Sequence, residues 1–352
     1  MDTILPGTIN LDIQKSKLLF SEQDSSLLNE KTISDLNAHY TNGLSKYVEK
    51  IRVELITDIV KCQKIWEEFS DNESLFDLWE FRMFFHTAHK HTPYFIVIRK
   101  NETIVACLPL CYQESEKYYT WFGTDWQEGC HFFTTNPFFV PILLYFAPKP
   151  LNLYGIEEKD AISLPKFINI EKDEPNFYLD LKNKETLDDY LKTLNKKKRY
   201  NLRRDFKHIR QLYPKISTNK KQDFSSMVEL TNIRFHKKGE ETDFDQDPYV
   251  EDSFREITFS KNKRFLSKLI SVSIGQNFAG IDITATYNKV YYALRGGNNT
   301  ELFPGVGNYM NLIEITDAMS LGMEKIDFLQ YNYGWKSSCF QQKPRYMFEA
   351  KQ

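Results

Sequence analysis

Residues 289–330 leave the fold little freedom. KVYYALRGG (289–297) reads as a strand, PGVGNYMNLIEITDAMSLG (304–322) as a Pro-Gly-x-Gly turn leading into a helix that Gly322 ends, and KIDFLQ (325–330) as a further strand. Strand, glycine turn, helix and strand in that order form the phosphate-holding core of a cofactor-binding α/β unit. Glycines let the backbone approach an anion closely, and the first N–H groups of the helix point at it with the helix dipole behind them. Gly305, Val306, Gly307 and Asn308 are therefore the candidate anchor for a pyrophosphate, and they need no lysine. A turn with no ligand would carry the same residues. The strand that ends at Arg295-Gly296-Gly297 favours the functional reading.

Two strand-like runs precede this unit, FLSKLISVSIG (265–275) and NFAGIDITATY (277–287). The same order occurs earlier in the chain. YFIVIR (94–99), a polar turn at Arg99-Lys100-Asn101-Glu102, TIVACLPLCY (103–112) and YYTWF (118–122) follow one another, and the last is closed by a glycine. This is the pattern of a weak internal duplication of one mixed sheet unit, although unrelated meanders can look alike. Only the second copy has the glycine-turn helix, so one site per chain is expected. Helical spacing is present at 58–69, 76–89, 223–237 and 248–260. It is also present at 185–212, as one long amphipathic helix or two joined near Lys196, with Pro214 beyond. The apolar run Phe138–Phe146, bounded by prolines, reads as a buried strand or loop.

Composition narrows the class. The chain has 352 residues, 41% hydrophobic and 27% charged, which suffices for two modest domains with cores. Its net charge of -2 argues against a general nucleic-acid binder. No apolar run approaches the roughly 18 residues of a membrane span, and MDTILPGTINLDIQKSK lacks the basic and apolar regions of a signal peptide. A cytoplasmic protein without membrane insertion is expected. The five cysteines are odd in number and without CxxC spacing, so buried thiols are expected. His86, His89 and His91 have no cysteine or carboxylate at ligand spacing, and no metal is expected.

Three further groups carry chemistry. Lys196, Lys197, Lys198, Arg199, Arg203, Arg204 and Lys207 crowd one helix. They make either a solvated face or a clamp for a phosphate or carboxylate, with Arg203, Arg204 and Lys197 as the substrate-binding candidates. A nucleic-acid footprint would use the same residues. The loop FGTDWQEGCHFF (122–133) offers Trp126 and Glu128 either as packing or as the lining of an acceptor groove. YNYGWK (331–336) supplies Tyr331, Tyr333 and Lys336. A tyrosine can protonate a leaving thiolate or alkoxide, and a lysine can stabilise a tetrahedral oxyanion. Asp327 can orient either, or satisfy buried backbone; Lys336 can equally be a structural lysine at a strand end.

The order helix, hairpin, strand, Pro-Gly-x-Gly helix, strand and aromatic-Lys resembles the GNAT (acetyltransferase) superfamily. More narrowly it resembles the Fem-like and CelD-like group, in which two such domains stand in tandem. TLNKKKRYNLRRDFKHI (193–209), ELFPGVGNYMNLIEITDAMSLGMEKIDF (301–328) and WKSSCF (335–340) carry the resemblance, which covers about 55–340. Leu302, Leu329 and Trp335 depart from its pattern, at positions of a Gln or Arg, a glycine and a tyrosine. The resemblance implies an α/β (α+β mixed sheet) fold of two GNAT-like domains in tandem, the second complete. We place a loosely ordered segment at 1–45, a degenerate GNAT-like domain at 46–180 and the catalytic one at 181–352. The implied activity is N-acyl transfer from acyl-CoA (acetyl-CoA) as co-substrate to an amine of a small acceptor. The acceptor classes are an amino sugar, an amino acid or a cell-envelope precursor. Aminoacyl-tRNA as donor, and a non-catalytic binding protein, are the alternatives.

Overall fold

The computed structural model describes residues 51–351 except Phe167 and Asn262. The segment 1–45 lies outside the described residues. Thirteen strands make one mixed sheet: β1 (Ile51–Ile56), β2 (Thr92–Lys100), β3 (Thr103–Gln113), β4 (Tyr118–Trp121), β5 (Phe133–Thr134), β6 (Leu151–Glu157), β7 (Glu171–Asp180), β8 (Lys215–Thr218), β9 (Leu266–Ile274), β10 (Asn277–Tyr287), β11 (Val290–Asn298), β12 (Lys325–Asp327) and β13 (Gln341–Ala350). Their order across the sheet is β1-β2-β3-β4-β6-β13-β7-β12-β11-β10-β9-β8, with β5 on β3. The last strand therefore lies between two strands of the first half, pairing antiparallel with β6 and with β7.

The helices are α1 (Ile59–Phe69), α2 (Trp79–His89), α3 (Val140–Phe146), α4 (Glu158–Ser163), α5 (Leu187–Thr193), α6 (Lys196–Gln211), α7 (Asp223–His236), α8 (Asp243–Gln246), α9 (Pro248–Phe259) and α10 (Val306–Ser320). The segment 185–212 is thus two helices. Asn195 separates them, its side chain accepting from the Lys198 N–H as an N-cap. Phe138–Phe146 is a correction: it forms a 3-10 turn and α3, not a strand or loop. Pro137 and Pro141 fall in opening turns, where a missing N–H removes no helical bond. KIDFLQ holds strand structure only through Asp327.

The duplicated pattern has a structural counterpart. In each half a hairpin (β2–β3, β9–β10) is extended by a third antiparallel strand (β4, β11), and the next strand in the sheet lies parallel to that one (β6, β12). In the second half the faces are covered differently. α10 packs Leu312, Ile315 and Ala318 with Tyr291 and Ile326. On the other face α7 and α9 bring Phe224, Met227 and Phe254 against Ile281, Ile283 and Tyr292, where Phe81 and Phe85 of α2 join them. Alternation along β11 sends the neighbours Tyr291 and Tyr292 to these two cores.

Candidate active site

The parallel pair β11–β12 is in register only over Val290↔Lys325, Tyr291↔Ile326 and Tyr292↔Asp327. Beyond it β11 runs on to Asn298 with β10 as its partner, while residues 328–336 turn away. Two parallel strands that part leave backbone groups without ladder partners between them, and a cavity of about 640 Å³ occupies this fork. Ala293, Arg295 and Gly296 line one side, Phe328, Gln330 and Lys336 the other. Asn311 and Glu314 of α10, Arg234 of α7 and the loop residues Trp126, Gln127 and Glu128 complete it.

The equivalent fork in the first half is filled. β4 and β6 pair at Tyr119↔Leu151 alone, and the loop after β4 enters beside β6. There the Cys130 N–H donates to the Gly155 carbonyl and the Glu157 N–H to the Cys130 carbonyl. That insertion carries Gln127 and Glu128 across to the open fork.

Glu128 is buried, and its Oε1 accepts the Gln330 N–H at 2.8 Å. Burial, then the neighbouring Asp327 charge, pushes its carboxyl up to about 7, against the relief of the Gln330 N–H, Arg345 and Lys336. Lys336 is 5% exposed. Its Nζ donates to the Phe328 and Gln330 carbonyls at 2.6 and 2.7 Å, and less closely to Leu329 at 3.4 Å. Burial lowers its ammonium to about 8, with Glu128 and Asp327 opposing. Asp327 does not line the cavity. It accepts from Asn176 Nδ2 at 2.7 Å and the Leu329 N–H at 3.0 Å, and pairs with Lys325 at 2.9 Å. Those partners outweigh burial and hold it below the usual carboxylate range. Tyr331 and Tyr333 stand half-exposed on the lining, and burial raises the Tyr331 phenol to about 12. Trp126 also lines the cavity, stacked on Phe85 with centroids 5.4 Å apart.

Leu329 has φ +63°, a conformation a leucine adopts at a cost of about 1–3 kcal/mol. The family pattern has a glycine there. The turn that gives Lys336 its carbonyls and Glu128 its N–H is thus held by a strained residue.

The basic helix lies elsewhere. Arg203 pairs with Asp188, Arg204 with Asp205 at 2.7 Å, and Lys197 is exposed; none of the three lines the cavity. Gly305 has φ +91° and caps α10, as a turn of this kind needs. A Cβ on Gly305 would come within 2.9 Å of Asp205, whereas one on Gly307 would meet nothing within 4 Å. Asp205 also accepts from Asn308 Nδ2 at 2.6 Å, and Val306 is buried. The turn is open on the Gly307 flank and already faces a protein carboxylate on the Gly305 flank. Among the described residues no group of His, Cys, Asp and Glu converges as metal ligands would, and no helix is long and apolar enough to cross a membrane.

The sequence reading missed Asp282 and Glu314, which line the cavity and are buried. The signal available was a charged residue at an inward position: Asp282 within GIDITA, and Glu314 within NLIEI.

Residues 196–337 match the model of the family described as Acetyltransferase (GNAT) domain. No curated protein matches the chain. Solved structures with a similar fold include FemX, with a TM-score of 0.54 and 11% identity over 85% of this chain and 97% of that one. L-PGS from Bacillus licheniformis follows with a TM-score of 0.53 and 11% identity, over 84% and 92%. A tandem GNAT protein from the clavulanic acid biosynthesis pathway has a TM-score of 0.51 and 9% identity, over 86% and 99%.

Proposed function

We propose, for a chain whose residues 196–337 match the GNAT acetyltransferase domain and whose fold is similar to those of FemX and a tandem GNAT protein, an N-acyltransferase reaction onto the amine of a small acceptor. The observation that carries this reading is the open fork beside β11, with Glu128 and Lys336 buried on its wall. An amine arrives as an ammonium and must lose a proton before it can attack. A buried carboxyl near 7 is poised to take it at neutral pH. The freed amine attacks the donor's carbonyl carbon directly, with no acyl-enzyme. As the carbonyl oxygen gains charge, the third, loosely engaged N–H of Lys336 turns towards it. Tyr331 or Tyr333 then protonates the leaving atom as the bond to the acyl carbon breaks, and the proton that the nitrogen sheds on becoming an amide restores that tyrosine. Asp327 positions this wall through Asn176 and the Leu329 N–H and touches no substrate.

Acyl-CoA is the donor in this reading, with its pyrophosphate on the open flank of Gly305–Asn308 beside Gly307. One observation favours a second donor, aminoacyl-tRNA. Asp205 stands on the other flank, so a pyrophosphate there meets a carboxylate that Arg204 only partly neutralises. Arg203, Arg204 and Lys197, exposed on α6, would then track a phosphate backbone.

The test is a thermal-shift screen of the whole chain against acetyl-CoA, longer acyl-CoAs and charged tRNA, followed by transfer to amine acceptors. A donor that raises the melting temperature and delivers its acyl group supports the reading. A partner protein that binds while every donor fails leaves a non-catalytic GNAT-fold scaffold.

A further inference from the structure

The cavity wall against α10 is rich in hydrogen-bond acceptors that nothing in the protein satisfies. Asp282 and Glu314 are 6% and 3% exposed, line the cavity, and make no hydrogen bond among the described residues. Asp282 owes its place to a glycine. It faces Gly296 across β10–β11, and a Cβ on Gly296 would lie 1.9 Å from its Oδ1. Two amides add to the set independently. Gln127 is 1% exposed, its Oε1 an unpartnered acceptor and its Nε2 an unpartnered donor, and the Oδ1 of Asn298 is a buried, unpartnered acceptor; both residues line the same cavity. Unsatisfied buried polar groups are costly, so a wall built this way favours a ligand that supplies donors to it.

We propose that this wall is a subsite for a primary ammonium group, seated between the carboxyl groups of Asp282 and Glu314. An ammonium carries three donors and no acceptor, which complements the two carboxyl groups and the amide oxygens of Gln127 and Asn298, and leaves the Gln127 Nε2 donor for an acceptor elsewhere on the same ligand. The cations nearby do not fill the role. Arg295 is engaged with Asp243, and Lys336 with backbone carbonyls. Arg234 of α7 eases Asp282 through space without a hydrogen bond to it. Asp317, which pairs with Lys268 and accepts from Tyr291, adds its charge on the Glu314 side.

In the empty cavity burial pushes the Asp282 carboxyl up to about 7 and Glu314 well above the usual carboxylate range. Near neutrality Glu314 therefore holds its proton and Asp282 is about half protonated. A bound ammonium takes over the proton's role, so binding releases protons and tightens as pH rises through the range where these carboxyls titrate. The proposal deepens the acyltransferase reading, because it names a cation on one substrate. That cation is either the α-ammonium of an aminoacyl donor or the second ammonium of a diamine acceptor.

The experiment is calorimetry on the whole chain with alaninamide, 1,4-diaminobutane and N-acetylalaninamide, in two buffers of different protonation enthalpy. Binding of alaninamide assigns the subsite to an aminoacyl donor, and binding of the diamine to the acceptor. In either case the N-acetyl compound fails to bind and proton release accompanies binding. Asp282→Asn and Glu314→Gln each weaken it by about tenfold or more, a loss of about 1.4 kcal/mol. The proposal is overturned if no amine binds, if the neutral control binds equally, or if both variants bind undiminished. A chain that transfers acyl groups yet binds no amine refutes the subsite alone. A chain that binds amines and transfers nothing refutes the reading beneath it.

Discussion

Glu128→Gln separates the catalytic reading from a merely structural one. The carboxyl of Glu128 moves from its ordinary 4.5 to about 7 on folding. In the unfolded chain it gives up its proton near 4.5, while the folded chain holds it to about 7. Between those values the native state binds more protons, so stability falls as pH rises through the window. Each unit is worth about 1.4 kcal/mol, so the full cost, present above about pH 7, is about 3 kcal/mol. A glutamine has nothing to ionise. Its carbonyl can still accept the Gln330 N–H, though its amide faces the Asn176 Nδ2 that now lies 3.4 Å from Oε2. Whatever that contact costs is the same at every pH. Urea denaturation of both proteins near pH 5 and near pH 8 therefore isolates the ionisation. The variant should gain about 2–3 kcal/mol relative to the parent between the two, while transfer drops by about a hundredfold or more through loss of the base. A stability difference that does not change with pH would refute the placement of Glu128 in a desolvated wall. Unchanged transfer would remove it as the base.

Lys336→Met should lower the melting temperature as well as turnover, the latter about a hundredfold, because it strips two short charge-assisted bonds from buried carbonyls; full turnover at normal stability would move the chemistry to another residue. Replacing Arg203 and Arg204 by Gln should lower melting only through Arg204, whose partner Asp205 is buried while the Arg203–Asp188 pair is at the surface, and should reduce the salt dependence of tRNA binding if tRNA is the donor. The same salt response in the variant would return α6 to a solvated face. Gly307→Val should weaken acyl-CoA binding by about tenfold in calorimetry, because it fills the open flank of the turn, and undiminished affinity would take the pyrophosphate off that turn. Leu329→Gly should relieve the left-handed strain yet lower the melting temperature, because the lost packing of a buried leucine, about 2–5 kcal/mol, exceeds that strain, and a higher melting temperature would mean that the strain outweighs the packing.

Periodicity carried much of the fold. Val250, Phe254 and Ile257 keep helical spacing and lie in one core, whereas the pattern of 185–212 left one helix or two open and the cap at Asn195 decides for two. Phe138–Phe146 misled because a short run of apolar residues has no period, and only its prolines distinguish a helix start. The site was less legible, because a fork is the end of pairing, and nothing in KIDFLQ marks Asp327 as the last paired residue. Glu128 gains its character from Gln330 and Asp327, remote in sequence, and no local motif reveals that. The density of charge on α6 was plain, yet its distance from the cavity follows from how Asp205 docks the helix on Asn308 and Gly305.

The seating of β13 between β6 and β7 has a consequence for biogenesis. β6 touches β4 through one residue pair, so its backbone stays largely unladdered until residues 341–350 arrive. During translation the first half therefore waits, with two raw strand edges, while the whole second half is made. Such edges invite pairing with other nascent chains, and high contact order slows their closure. A truncation before β13 should leave a chain that chaperones retain, even though the residues of the fork are all present.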